Sequence, residues 1–172
     1  MKSKCVIIAG EFSADVIGVE IMSAINNIEW YGIGGPLMGA KKLNKIYDWD
    51  KISAFGLSDI IFSLPRLYYY ASKIADKIIK INPKIILTVD TKGFNFYLIK
   101  LIRNKLKNKN NIPKFIHIVA PTVWAWRANR ADKVSKIVDT LLCLFPSEPN
   151  YFNKNKIEAV SYTHLRAHET TN

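Results

Sequence analysis

Ile85-Ile86-Leu87-Thr88-Val89-Asp90-Thr91-Lys92-Gly93-Phe94-Asn95 is the stretch on which the fold turns. Five apolar or β-branched residues in succession, with Pro83 before them and Gly93 after, predict a central parallel strand covered on both faces. An aspartate closes the run and a helix start follows near Phe94, which puts Asp90 at the carboxyl end of a strand. Ligands bind at that edge of an open α/β sheet, because the strand-leaving loops and the amino termini of the next helices converge there. Asp90 is therefore the first candidate for chemistry. Asp90 and Asn95 equally suit plain capping of the helix, since such side chains accept bonds from free amides at helix starts.

Working outward, the same strand-turn-helix texture repeats, which predicts an α/β fold with a Rossmann-like open parallel sheet and helices on both faces. Cys5 to Ala9 reads as the first buried strand, and Gly10-Glu11-Phe12-Ser13-Ala14-Asp15 turns it into a helix with Val16, Ile17, Val19, Ile21, Met22, Ala24 and Ile25 inside. Gly10 permits close backbone approach, and Ser13 or Asp15 suits the helix cap, so this loop could cradle a phosphate or a sugar hydroxyl. It is not G-x-G-x-x-G, which argues against a dinucleotide site. Glu29 to Ile33 is a second strand, and Gly34-Gly35-Pro36 turns it into a helix carrying Leu37, Met38, Ala40 and Leu43. Tyr47 to Ile52 is ambiguous, Gly56 to Leu64 reads as a short helix broken at Pro65, and Arg66 to Ile81 as a longer one. Its inner stripe is Leu67, Tyr70, Ile74, Ala75, Ile78 and Ile79, and Tyr68, Tyr69 and Tyr70 cannot all face the core.

Beyond the central strand the pattern predicts a helix over 94–107, a polar break at 108–113 and a strand over 114–119 in which His117 is a core or supporting residue. Then come a binding-type loop with Trp124, Trp126 and Arg127, a helix over 131–138 and a strand over 140–145. Next is a turn at Pro146-Ser147-Glu148-Pro149, where Glu148 either points into the cleft or caps the short helix of Tyr151 and Phe152. A last strand starts at Ile157. Ser161 to Asn172 is polar without an apolar period, and His164 and His168 lack a third ligand, so no metal site is expected.

The 172 residues suit one domain, and 49% hydrophobic content is enough to fill a core, which excludes a disordered tail. No uncharged apolar run reaches the roughly 18 residues of a membrane span, and Cys5 to Ala9 is too short for the core of a signal peptide. Cys5 and Cys143 lie in apolar strand-like runs, so reduced core thiols in a cytosolic protein are expected rather than a disulfide. The net charge of +11 favours anionic partners, although abundant lysine, isoleucine and asparagine are also what an AT-rich genome yields. A nucleic-acid binder with stacking tryptophans and tyrosines is disfavoured, because no DNA- or RNA-binding motif accompanies them.

Six blocks in register, Ala9 to Asp15, Gly32 to Met38, Phe55-Gly56-Leu57, Asp90 to Asn95, Pro121 to Arg127 with Arg130 three residues on, and Phe145 to Glu148, resemble lipid-A-disaccharide synthase in order and spacing. The resemblance covers about 4–160. It implies the amino-terminal half of a two-Rossmann-domain, GT-B glycosyltransferase of lipid A biosynthesis, a hexosyltransferase. Such an enzyme moves 2,3-diacylglucosamine from its UDP form onto 2,3-diacylglucosamine 1-phosphate and releases UDP, without a cofactor. It implies Asp90 as general base, and Gly10, Glu11, Ser13, Asp15, Gly34, Gly35, Asn95, Trp124 and Trp126 on the substrate. Arg127 and Arg130 become phosphate partners by the bidentate geometry of guanidinium. The family pattern has Gly at the position of Ala14, whose methyl could crowd a ligand, and often Pro at the position of Lys92.

The domain expectation that follows is an acceptor-side Rossmann-like domain over 1–160 and a non-native tail over 161–172, whose wording resembles a translated sequencing adapter. The UDP-sugar domain would be missing and the isolated chain inactive. The expected partners are an acylated glucosamine phosphate acceptor, a UDP-sugar donor only together with the missing domain, and an anionic membrane surface, with no nucleic acid. The expected place is the cytoplasm, peripheral on the cytoplasmic face of the inner membrane. The competing reading is a free-standing Rossmann-like module that binds a phosphosugar or nucleotide without catalysis.

Overall fold

The computed structural model describes residues 2–53, 64–90, 92–120, 129–152 and 157–161. Within them lie strands β1 (Ser3–Ala9), β2 (Ile28–Ile33), β3 (Asn44–Lys45), β4 (Ile85–Val89), β5 (Lys114–Ile118), β6 (Thr140–Cys143) and β7 (Glu158–Ser161). The helices are α1 (Phe12–Ala24), α2 (Pro36–Ala40), α3 (Trp49–Ser53), α4 (Leu64–Ile81), α5 (Lys92–Leu106), α6 (Asn129–Ser135) and α7 (Pro149–Phe152). All seven strands form one parallel sheet in the order β3-β2-β1-β4-β5-β6-β7. The chain starts in the middle, builds outward to β3, returns beside β1 as β4 and builds outward the other way. Strand order therefore reverses between β1 and β4, which is the crevice where such sheets bind ligands.

The runs 5–9 of β1 and 85–89 of β4 are apolar but for the buried Thr88, because both faces are covered. Alternate residues serve opposite cores: Val6, Ile8, Ile86 and Phe115 pack with α4 and α5, whereas Cys5, Ile7, Ala9, Leu87, Val89 and Ile118 pack with α1 and α2. Ile7, Ile8 and Phe115 are fully buried, each contributing about 1.5–3 kcal/mol relative to exposure. Both cysteines are free and buried, and burial pushes the Cys143 thiol up to about 12.

Several local expectations are corrected. The inner face of α1 is Ala14, Asp15, Gly18 and Met22, while Val16, Ala24 and Ile25 are exposed and Ile17, Val19 and Ile21 half-buried. The reason is close packing on α2: a Cβ at Gly18 would lie 2.4 Å from Met38 Sδ, so the contact runs along small residues rather than a broad apolar stripe. The methyl of Ala14 is fully buried in that core, where it packs rather than crowds a ligand. Pro65 sits in the first turn of α4, where a missing N–H costs nothing. Most of the expected helix over 56–64 lies outside the described residues. Strand β6 ends two residues early, at Cys143, where the turn holding Glu148 begins. The polar two-residue β3 pairs with Tyr31 and Gly32 and has no apolar pattern by which to anticipate it. Tyr68 and Tyr69 are exposed and Tyr70 is half-buried against Tyr47.

Candidate functional site at the carboxyl edge of the sheet

Ala9 pairs with Val89, so Gly10 and Asp90 leave the sheet side by side at the switch point. Asp90 N still donates to Ile118 O at 2.9 Å, and the backbone then swings into the left-handed region, φ 45° at Asp90. One strand over, Val119 N donates to Leu142 O at 3.0 Å and Val119 itself has φ 75°. A β-branched residue rarely adopts that conformation, and such positions cost about 1–3 kcal/mol. Two adjacent strands thus end in strained, half-buried residues at the edge where the ligand crevice opens. Val119 carried no sequence signal; its strain follows from the register.

Asn95 is not the helix cap that its type suggests. It lies inside α5, fully buried, and its Nδ2 donates to Val89 O at 3.2 Å and Asp90 O at 2.8 Å. The amide therefore clamps the end of β4 and holds the Asp90 peptide in place. Its Oδ1 is buried with no partner among the described residues. Beneath α5, His117 is fully buried, as its alternation with apolar neighbours predicts. Its Nδ1 lies 2.8 Å from Thr88 Oγ1, and its ring packs on Phe96 at 4.6 Å between centroids. Thr88 and His117 are register partners, so this contact ties β4 to β5 just below Asp90.

On the other side of the switch point, Glu11 is the N-cap of α1 in extended backbone, with no side-chain capping bond, and it is exposed. Ser13 is exposed in the first turn, and Gly10 is buried. Neither Ser13 nor Asp15 caps α1. The Asp15 carboxylate instead reaches the start of α2: Oδ1 accepts from Gly35 N at 2.8 Å and Met38 N at 3.2 Å, and Oδ2 from Leu37 N at 2.9 Å. Gly34 and Gly35 are buried in that same junction. Glu148 does not open into the crevice either. It is buried, its Oε2 accepts from Phe145 N at 3.1 Å and its own N donates to Phe145 O at 3.1 Å, closing the turn after β6.

The structure thus gathers Gly10, Glu11, Ser13, Asp15, Gly34, Gly35, Asp90 and Asn95 at one sheet edge around the switch point. Trp124, Trp126 and Arg127 lie outside the described residues, and Arg130 is placed only as a position in the first turn of α6. A half-buried carboxylate at a strand end, beside buried glycines and an exposed Glu11, can take a proton from a hydroxyl brought to it.

Comparison with known proteins shows the family of the chain. The profile of the lipid-A-disaccharide synthetase family matches residues 5–165. Lipid-A-disaccharide synthase of Chlamydia trachomatis is 31% identical over 166 residues, covering 94% of this chain and 27% of the relative. The Rhodospirillum centenum protein of the same name is 35% identical over 151 residues, covering 85% of this chain and 37% of the relative. The probable mitochondrial lipid-A-disaccharide synthase of Arabidopsis thaliana is 34% identical over 170 residues, covering 92% and 36%. The chain therefore spans roughly a quarter to two-fifths of the length of these relatives. With the family profile matched over residues 5–165, from β1 to beyond β7, the chain belongs to the lipid-A-disaccharide synthetase family.

Proposed function

We propose that this chain forms the acceptor side of a GT-B hexosyltransferase of lipid A biosynthesis, acting on 2,3-diacylglucosamine 1-phosphate with UDP-2,3-diacylglucosamine as donor and releasing UDP. The donor would be held by the part of the relatives that this chain does not span. The observation that carries the reading is Asp90: it ends β4 at the switch point with left-handed backbone, clamped by Asn95, in a chain of this family. Asp90 takes the proton of the acceptor's 6-hydroxyl as the anomeric bond to UDP breaks, and a rigid strand end gives it a fixed approach. Gly10, Glu11 and Ser13 border the acceptor on the β1 side, with Asn95 beneath Asp90. The family resemblance assigns Trp124, Trp126, Arg127 and Arg130 to the substrate as well, the arginines to phosphate.

Acylated substrates stay in a bilayer, which supports a peripheral position on an anionic membrane, on the cytoplasmic face of the inner membrane. No helix among the described residues is long and apolar enough to cross one. The exposed Tyr68 and Tyr69, with Lys73 4.3 Å over the Tyr69 ring, suit the interface between headgroups and water.

The test grafts residues 2–161 in place of the matching segment of a full-length relative and follows UDP release. Asp90→Asn should lower turnover about 10²- to 10⁴-fold with an unchanged melting temperature. Near-normal turnover would return Asp90 to a purely structural part. Acceptor binding by the chimera without any turnover would favour a binding module.

A further inference from the structure

We propose that Asp15 is a positioning residue that locks the Gly34-Gly35 loop over the switch point, and that Gly35 is glycine to admit this carboxylate rather than a ligand. The identity of the acceptor used below rests on the function proposed above; the lock itself does not.

Asp15 is fully buried, on a helix 20 to 23 residues away in sequence from the amides that it holds. The first amides of a helix have no partners within it. In α2, Pro36 has no N–H to offer, and those of Gly35, Leu37 and Met38 all go to one carboxylate. Its negative charge also faces the favourable end of the helix. The start of α2 thus has no donors left for a phosphate, and it offers the acceptor a fixed wall instead. Space gives the same answer. A Cβ at Gly35 would lie 2.6 Å from Asp15 Oδ2 and 2.8 Å from its Cγ, and one at Gly34 would lie 2.6 Å from Met38 Sδ. Both glycines are demanded by contacts inside the protein, before any ligand arrives. Because the loop follows β2 directly and β2 pairs with β1, a loosened lock shifts one wall of the crevice while leaving Asp90 on β4 in place.

The test uses the 172-residue chain with Asp15→Ala, Gly35→Ala, the double variant and Asp15→Asn. It reads amide hydrogen exchange, thermal melting and titration with 2,3-diacylglucosamine 1-phosphate. Asp15→Ala should speed exchange at Gly35, Leu37 and Met38 about 100-fold, leave the amides of Leu87 and Ile118 unchanged, and weaken acceptor binding about tenfold or more. Gly35→Ala alone should do the same by displacing the carboxylate, yet add less than about twofold in the Asp15→Ala background. Asp15→Asn keeps one acceptor oxygen, so it should restore protection at Gly35 and Met38 but not at Leu37, and it carries the test if the alanine variant does not fold. Equal loss of binding from Gly35→Ala in both backgrounds would overturn the proposal, as would undisturbed protection in both Asp15 variants. A wild-type chain that ignores the acceptor while its exchange follows this pattern leaves the lock supported and sinks the function proposed above.

Discussion

One carboxylate can join several elements when its two oxygens accept from different backbones, and Asp139 does this at the amino-terminal side of the sheet. Its Oδ1 accepts from Arg103 Nη2 at 2.7 Å and its Oδ2 from Phe115 N at 2.7 Å, while Arg103 Nε donates to Ile137 O at 2.8 Å. The guanidinium also lies 4.4 Å from the Phe115 ring centre. The ion pair is partly exposed and worth little by itself, so the amide of the fully buried Phe115 decides the energetics. Asp139→Ala should cost about 1–3 kcal/mol, chiefly by stranding that amide, and Asp139→Asn about half as much. Urea unfolding midpoints check this, and an alanine variant within about 0.5 kcal/mol of wild type would show that water replaces the carboxylate. At the other edge, the left-handed Asp90 and Val119 cost stability where the crevice needs a defined shape.

Among elements, the outer strands add polar side-chain ties to the apolar burial of Leu141, Cys143 and Ala159. Glu158 on β7 accepts from Thr140 Oγ1 of β6 at 2.9 Å and from Lys114 Nζ of β5 at 3.3 Å, so one carboxylate spans three strands. The Thr140 hydroxyl first, and Lys114 second, hold the Glu158 carboxyl below its ordinary value of 4.5. A lowered folded pKa means that the contribution is present above the unfolded value and is lost as pH falls through the folded one. Glu158→Gln should therefore lower the melting temperature at pH 7, with the difference from wild type shrinking once the pH drops below about 4.5. A constant difference from pH 7 to pH 3 would mean that the charge is irrelevant and only the Thr140 bond counts. On the opposite side, α1 meets α2 through Gly18 and Ala14, a contact of shape rather than of apolar area.

The whole molecule is a polarised sheet, with the candidate chemistry at the carboxyl edge and the Asp139 and Glu158 clamps at the other. A net charge of +11 gives it an attraction for anionic surfaces that ionic strength should weaken. Each lysine near such a surface contributes roughly 1 kcal/mol. Co-sedimentation with phosphatidylserine vesicles at low salt should therefore exceed that with neutral vesicles, fall on added salt, and drop further in Tyr68→Ser/Tyr69→Ser. An equal bound fraction on both vesicle types would rule out the electrostatic part, and an unchanged double variant would rule out the tyrosine face.

The strand texture, the parallel open sheet and the position of Asp90 at a strand end were legible in the residues alone, because a strand buried on both faces leaves an unbroken apolar run such as Ile85 to Val89. The alternation that buries His117, and the mismatch of three consecutive tyrosines with one helix face, are equally local facts. Partner choice was not legible. Asp15 and Asn95 have the composition of caps for their own helices, but the fold gives Asp15 to the start of α2 and Asn95 to the end of β4, since those unpaired amides and carbonyls come within reach only once the sheet is assembled. Likewise the inner face of α1 is set by how closely Met38 approaches Gly18, a distance that no periodicity in α1 contains. Sequence thus determined the strands that carry apolar runs, though not the polar β3, and where the crevice opens, and tertiary structure alone decided which side chains face that crevice and which ones hold its walls.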